Sequence, residues 1–219
     1  MDYVKDTREA YRNPARADAY KEQYAKYKWF QYVSKRERTC IEQALNLCNL
    51  SHTSRVLDIP CGTGAMSEVF GKFPFNVAAS DISREMMEYA RGEYSKERCL
   101  GFILSDIEKI PLKEEIFDCV LTIGFMHRAP VHVRAQVLKE LNAISRKYII
   151  VTYSINSPLQ KLKHRVKKIL FPVYTTPSSP VVLKDILREF QLHGLAVKKI
   201  FRAAYFFSSE VIFLLEKRK

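Results

Sequence analysis

From residue 55 onward the chain alternates apolar runs of strand length with amphipathic runs of helix length, and this constrains the fold more than any other feature. RVLDI, FNVAASDI, LGFILSDI, DCVLTIGF and KYIIVTYSI read as strands, and GAMSEVFGKF, REMMEYARGEY, VRAQVLKELNAI and PVVLKDILREFQLHG read as helices. A parallel strand pair needs a long crossover, usually a helix, so the repeat predicts a doubly wound, mostly parallel α/β sheet. LAVKKIFRAAYFF and SEVIFLLEK have little more than Ser208 and Ser209 between them, which leaves no room for a helix. They predict a C-terminal antiparallel hairpin that completes a seven-stranded sheet. Residues 7–50 hold no glycine and only Pro14, and their pattern predicts long N-terminal helices with a second one starting near Ser34.

Open parallel sheets bind ligands beyond the carboxyl ends of their strands. The first strand ends in Asp58 and runs into PCGTG, where Gly62 and Gly64 let backbone approach a ligand without a Cβ in the way. A helix beginning near Ala65 would aim free N–H groups at the same place. Asp81 ends the second strand at the spacing expected of a carboxylate that accepts from ribose hydroxyls. Asp106 ends the third. Three acids at successive strand ends suit a cationic, hydroxyl-rich nucleoside better than a polyphosphate.

VLDIPCGTG, AASDIS followed by Met86, SDIEKIPLKEEIFDCV and LTIGFMHR, in this order, resemble the successive motifs of class I S-adenosylmethionine-dependent methyltransferases, especially the ubiquinone/menaquinone-methyltransferase-like group. The resemblance implies S-adenosylmethionine as cofactor and S-adenosylhomocysteine as product, on a Rossmann-like methyltransferase fold. By that likeness Asp58, Pro60, Cys61, Gly62 and Gly64 form the turn that holds the methionine part. Asp81 binds the ribose, Ile82 and Met86 flank the adenine, and Asp106 with the Ile107 backbone reads its amino edge. The backbone at Ile123 and Gly124 meets the ammonium. Pro60 departs from the glycine most members carry; it lacks an N–H and cannot donate to the cofactor.

His127, in GFMHRAP at the mouth of the fourth strand, is the expected catalytic residue. It stands as either a general base or a group that shapes the pocket. Arg128 is placed at the substrate, and Arg134 either pairs with an anionic substrate or is a solvated helix start. Tyr20 and Tyr24, with Tyr11, either cap the methyl donor or substrate as part of an N-terminal lid or pack on the sheet edge, and packing is the reading taken for Trp29 and Phe30. His132, His164 and His193 lack companions at metal spacing, so no metal is expected.

One domain is expected: residues 1–50 a helical cap, 51–155 the cofactor core, 156–180 a substrate-recognition insertion and 181–219 a helix with the terminal hairpin. The net charge of +12 favours anionic partners. Part of it lies in KLKHRVKK (161–168), which reads as a basic amphipathic helix on an anionic membrane or as an ordinary surface helix. Five cysteines without a C-x-x-C pair fit free thiols. A polar N-terminus and the lack of an eighteen-residue apolar run point to the cytoplasm, with peripheral membrane contact left open. The function expected is methyl transfer to oxygen or nitrogen of a small-molecule, glycan or lipid-linked acceptor. The alternatives are a nucleic-acid methyltransferase, disfavoured by the lack of an N-P-P-Y motif, and a non-catalytic binding protein.

Overall fold

The computed structural model describes residues 28–155, 180–203 and 209–218, together with Tyr3 and Glu9. Tyr11, Tyr20, Tyr24 and the 161–168 segment lie outside the described residues, as do the side chains of Trp29 and Phe30.

The elements follow in the order α1 (Lys28–Asn46), β1 (Arg55–Asp58), α2 (Ser67–Phe70), β2 (Asn76–Asp81), α3 (Arg84–Arg91), β3 (Cys99–Leu104) and β4 (Phe117–Thr122). A 3-10 turn (Met126–Arg128) leads to α4 (Val131–Ile144), β5 (Ser145–Ser154), α5 (Leu183–Leu192), β6 (Leu195–Arg202) and β7 (Glu210–Lys217). The strands form one seven-stranded sheet in the order β3-β2-β1-β4-β5-β7-β6. β1 to β5 are parallel, and β7 runs antiparallel to both β5 and β6. The chain winds outward from β1 to β3 and then returns to β4 on the other side. The gap between β1 and β4 is therefore the topological switch point, where the turns after two neighbouring strands diverge and leave a crevice.

The central strands are apolar on both faces because both faces are covered. Leu57, Val120, Ile149, Val151 and Phe213 pack on one side with Leu138 of α4 and Phe190 of α5. Val56, Cys119, Leu121, Ile150 and Leu214 pack on the other with Ile41 and Leu45 of α1. The change of side at each successive residue is the strand period of two.

Three expectations are corrected. α1 runs unbroken through Ser34, because Cys40, Ile41, Ala44 and Leu45 give it one apolar stripe to bury and nothing near Ser34 ends it. α2 is a single short turn from Ser67 rather than a helix from Ala65, because Gly62 and Gly64 at positive φ keep the preceding residues in turns. β6 stops at Arg202 and β7 begins at Glu210, so their connection is longer than two serines.

Arg134 is neither solvated nor open to a substrate. It is buried on α4, and its Nε and Nη2 donate to both carboxylate oxygens of Glu189 on α5 at 2.5–3.2 Å. Nη1 donates to the Ala129 carbonyl at 2.9 Å, and the Tyr153 hydroxyl donates to Glu189 at 3.1 Å. The fork of Arg134 thus clamps two crossover helices to each other and to β5. Removing one partner strands the other charge in the core, so Glu189→Ala is expected to cost about 3–5 kcal/mol. Urea unfolding followed by circular dichroism should show a lowered midpoint with the secondary structure retained before the transition.

Candidate active site

A cavity of about 370 Å³ opens at the carboxyl ends of β1, β2, β3 and β4. Its wall includes Asp58, Pro60, Cys61, Gly62 and Gly64 from the turn after β1, and Asp81, Ile82 and Met86 from the end of β2 and the start of α3. It also includes Asp106 and Ile107 after β3, and Ile123, Gly124, His127 and Arg128 after β4. Every sequence-predicted site residue among the described ones therefore reaches the same cavity, whose size is ordinary for a small-molecule or cofactor site.

The glycine turn is held from below. Cys61 N–H donates to the Ser80 carbonyl at 2.8 Å, and Gly62 N–H donates to Asp81 Oδ2 at 2.8 Å. The other Asp81 oxygen accepts from Ser83 N–H at 2.9 Å, and Ser83 Oγ caps α3 by accepting from Met86 N–H. One carboxylate thus positions both the turn and the helix start. A carboxylate has about four lone-pair sites, so it can still accept from a ligand. Burial raises the Asp81 carboxyl above its usual range, while the backbone N–H groups oppose the rise.

The two glycines differ. Gly62 has φ +53° and a Cβ there would meet nothing within 4 Å, and Gly124, at φ +73°, is equally open. These are the positions where backbone faces empty cavity. Gly64, at φ +84°, packs so closely that a Cβ would lie 3.1 Å from Glu93 Cβ and 3.2 Å from Ala90 Cα. Its need for glycine is set by packing against the end of α3, not by ligand approach alone.

Asp58 is almost fully buried and accepts from the Tyr94 hydroxyl at 2.5 Å. Burial pushes its carboxyl up to about 7, with Tyr94 opposing and Asp81 adding to the rise. Tyr94 was missed from sequence because it reads as one more apolar residue after a helix. Asp106 Oδ1 accepts from Glu108 N–H at 3.0 Å, and Gly124 N–H donates to Thr152 Oγ1 at 2.7 Å. These bonds fix the loops after β3 and β4, and the second leaves the Gly124 carbonyl as the polar backbone atom for a ligand there.

His127 is 6% exposed, and its Nδ1 has no hydrogen-bond partner among the described residues. Burial, with Arg128 adding to it, pushes the imidazole down to about 3. It is neutral at pH 7 and a poor proton acceptor, which weighs against the general-base role and for the pocket-shaping one.

Glu37 and Arg38 of α1 and Glu210 at the start of β7 complete the wall, joined by Tyr3, whose hydroxyl donates to Glu108. Sequence reading missed both glutamates. Among the described residues, seven carboxyl side chains (Glu37, Asp58, Glu68, Asp81, Glu93, Asp106 and Glu210) line the cavity with the arginines Arg38 and Arg128. The lining is acidic although the chain carries +12.

Residues 56–147 match the model of a methyltransferase domain family. Over 82 residues the chain is 37% identical to a malonyl-[acyl-carrier protein] O-methyltransferase of Pectobacterium atrosepticum, covering 37% of this chain and 31% of that protein. Over 162 residues it is 26% identical to a ubiquinone/menaquinone biosynthesis C-methyltransferase of Pseudomonas putida, covering 71% of this chain and 61% of that one. The match thus spans a third to three-fifths of the length of these curated relatives. In fold it is similar to magnesium protoporphyrin IX methyltransferase of Synechocystis, solved with bound S-adenosylhomocysteine, at TM-score 0.75 and 14% identity over 91% of this chain and 93% of that one.

Two outcomes follow from this geometry. Gly64→Ala combines a left-handed φ with a crowded Cβ and is expected to cost about 1–3 kcal/mol, whereas Gly62→Ala should cost about 1 kcal/mol and fill part of the cavity instead. Urea midpoints of the two variants check the order. Asp58, raised from about 4 in the unfolded chain to about 7, holds its proton longer when folded, so its contribution is present below pH 4 and is lost as pH rises toward 7. The stability of the wild type relative to Asp58→Asn should accordingly fall by up to roughly 4 kcal/mol across that window, measured by urea unfolding at several pH values.

Proposed function

We propose, from the premise that this chain carries a class I S-adenosylmethionine-dependent methyltransferase domain centred on residues 56–147, that the protein transfers a methyl group from that cofactor to a small-molecule acceptor. The observation carrying this reading is the convergence of the turn after β1, the acids ending β1, β2 and β3, and the open glycines Gly62 and Gly124 on one cavity.

The residues fit the cofactor on two counts. Backbone at Gly62 and Gly124 faces space that any side chain would fill. The acidic lining also suits a sulfonium that carries an ammonium group and ribose hydroxyls. In this assignment Asp81 accepts from the ribose hydroxyls while its backbone bonds hold it in place. Asp58 and the turn 60–64 face the methionine part, Ile82 and Met86 flank the adenine, and Asp106 with the Ile107 N–H reads its edge. The backbone at Ile123 and Gly124 takes the ammonium.

When bound, the cofactor supplies an activated methyl group, and the protein's task is orientation and exclusion of water. His127 serves as a neutral imidazole that positions the acceptor by hydrogen bonding. Arg128, beside it on the 3-10 turn, stays assigned to the acceptor end. The anionic glycan or lipid-linked acceptor suggested by net charge draws no support from the described lining of the cavity, where carboxyl groups outnumber arginines.

Calorimetric titration with S-adenosylmethionine and S-adenosylhomocysteine tests the reading. Binding in the micromolar range is expected, with loss of about 100-fold or more in Asp81→Ala that retains its far-ultraviolet circular dichroism spectrum. A folded wild type that binds neither compound overturns it.

A further inference from the structure

Asp58 and Asp81 are both buried and both line the cavity, but they are held in different ways. Asp81 accepts from the backbone N–H groups of Gly62 and Ser83. Asp58 accepts from no backbone N–H among the described residues. The N–H groups of Ile59, Cys61 and Gly64 donate instead to the carbonyls of Leu121, Ser80 and Cys61, and that of Gly62 is spent on Asp81. Pro60 has no N–H to give. The donor that does reach Asp58 is the Tyr94 hydroxyl, at 2.5 Å on Oδ2. Oδ1 accepts no bond from the described residues.

Tyr94 is fixed for this contact. Its buried ring lies edge-on to Phe102 at 5.7 Å and tilted against Phe70 at 6.2 Å. A Cβ on Gly64 would come within 3.3 Å of its Cε2, so the second glycine of the turn makes room for the ring that carries the hydroxyl. A hydroxyl has one proton to donate, and the bond to Asp58 uses it.

Charge is the second observation. Among the described residues no cation pairs with Asp58. The titratable groups around it are Tyr94 after α3, Asp81 at the end of β2, Cys61 in the turn and Cys99 at the start of β3, and its partner on β4 is the apolar Leu121. None of these carries positive charge. The cations of the cavity wall, Arg38 and Arg128, come from α1 and from the 3-10 turn after β4. A carboxyl buried in such company with one neutral donor keeps its proton until a cation arrives. Its rise to about 7 agrees with this. With Oδ2 accepting from Tyr94, the proton sits on Oδ1.

We propose that the cofactor site is proton-linked, with Tyr94 as its positioning residue. Asp58 carries a proton in the free protein and releases it to solvent as the cationic methionine part of the cofactor binds, while Tyr94 holds Oδ2 and leaves Oδ1 to the ligand. The inference rests on the methyltransferase reading above, and it adds the protonation state in which the site accepts its ligand. The carboxyl O–H is the one covalent bond that breaks, and one positive charge replaces another. Affinity therefore rises with pH through neutrality, because the ionised carboxyl pairs with the cation and protonation competes below it.

The experiment is calorimetric titration of the full chain with S-adenosylhomocysteine, whose ammonium stays charged throughout the range used. Wild-type affinity is expected to rise about 25-fold between about pH 5.5 and about pH 7.5. Titrations near pH 7 in phosphate and in Tris, which differ in ionisation enthalpy, should report about half a proton released per molecule bound. Tyr94→Phe keeps the ring and loses the donor, so Asp58 holds its proton more tightly and the midpoint of the profile moves up by roughly one pH unit. A tyrosine that only packs would leave that midpoint in place. Asp58→Asn should bind with an affinity flat to within about twofold over the same range. Wild-type binding with no proton release and no pH dependence overturns the linkage, as does an Asp58→Asn profile equal to the wild type's, and an unmoved midpoint in folded Tyr94→Phe overturns the positioning role. In each of these cases the cofactor reading stands. The wild-type and Tyr94→Phe profiles decide the matter even where the Asn variant fails to fold. A folded wild type that binds no S-adenosylhomocysteine at any pH overturns the cofactor reading, and this inference with it.

Discussion

The cavity depends on one carboxylate. Asp81 accepts from Gly62 N–H with one oxygen and from Ser83 N–H with the other, and so joins the turn after β1 to the start of α3. Neighbouring parallel strands end at similar heights, here with Asp58 opposite Ala79, and their exits would otherwise diverge without contact. With Cys61 N–H on the Ser80 carbonyl, the turn is held flat against the end of β2, and Gly62 faces outward into the cavity. In the proposed assignment the same carboxylate accepts from a ribose, so that the group that builds the turn would also read the ligand. Backbone N–H donors hold it in a single orientation before any ligand arrives, which is the preorganisation a binding site needs.

Charge is distributed against expectation. A chain of +12 suggests anionic partners, yet among the described residues the cavity wall carries seven carboxyl groups and two arginines. The two facts act at different ranges. Exposed charges are screened beyond about 8 Å at physiological salt, while groups in a partly enclosed cavity are screened far less. The positive surface therefore does little to a cation once it has entered, and the acids decide. Burying acids together is costly, and burial raises the carboxyl groups of Asp58 and Asp81 above their usual range. Asp58 sits at about 7 and donor bonds from Tyr94 and backbone hold the deeper carboxylates.

What was legible in the sequence follows from how far apart the interacting residues lie in the chain. The five parallel strands and their order were readable because each strand and crossover is a local pattern, and the acids Asp58, Asp81 and Asp106 mark strand ends within those patterns. The partners that complete each site residue were not readable. Tyr94 reaches Asp58 across a helix and a strand, Thr152 reaches Gly124 from the next strand over, and Glu189 meets Arg134 from another crossover. No periodicity encodes these meetings; only the packed sheet brings them about. Arg134 shows the effect most clearly. Its position at the start of α4 reads as solvent-facing, and the approach of α5 turns it into a buried clamp. α2 shows the reverse error, in which a helix-like pattern after Gly64 yields to the turns the glycines impose.

The same division runs through the cavity itself. The part of the wall proposed for the cofactor is made of strand ends, each a short stretch that is local in the sequence. Another part of the wall is made by Glu37 of α1 and Glu210 of β7, from opposite ends of the described chain. Such a wall can change its chemistry without disturbing the β1 turn, since Glu37 and Glu210 take no part in the bonds that Asp81 organises. A reading of local motifs reaches the strand ends and stops there, and the share of the wall that α1 and β7 supply appears only in three dimensions.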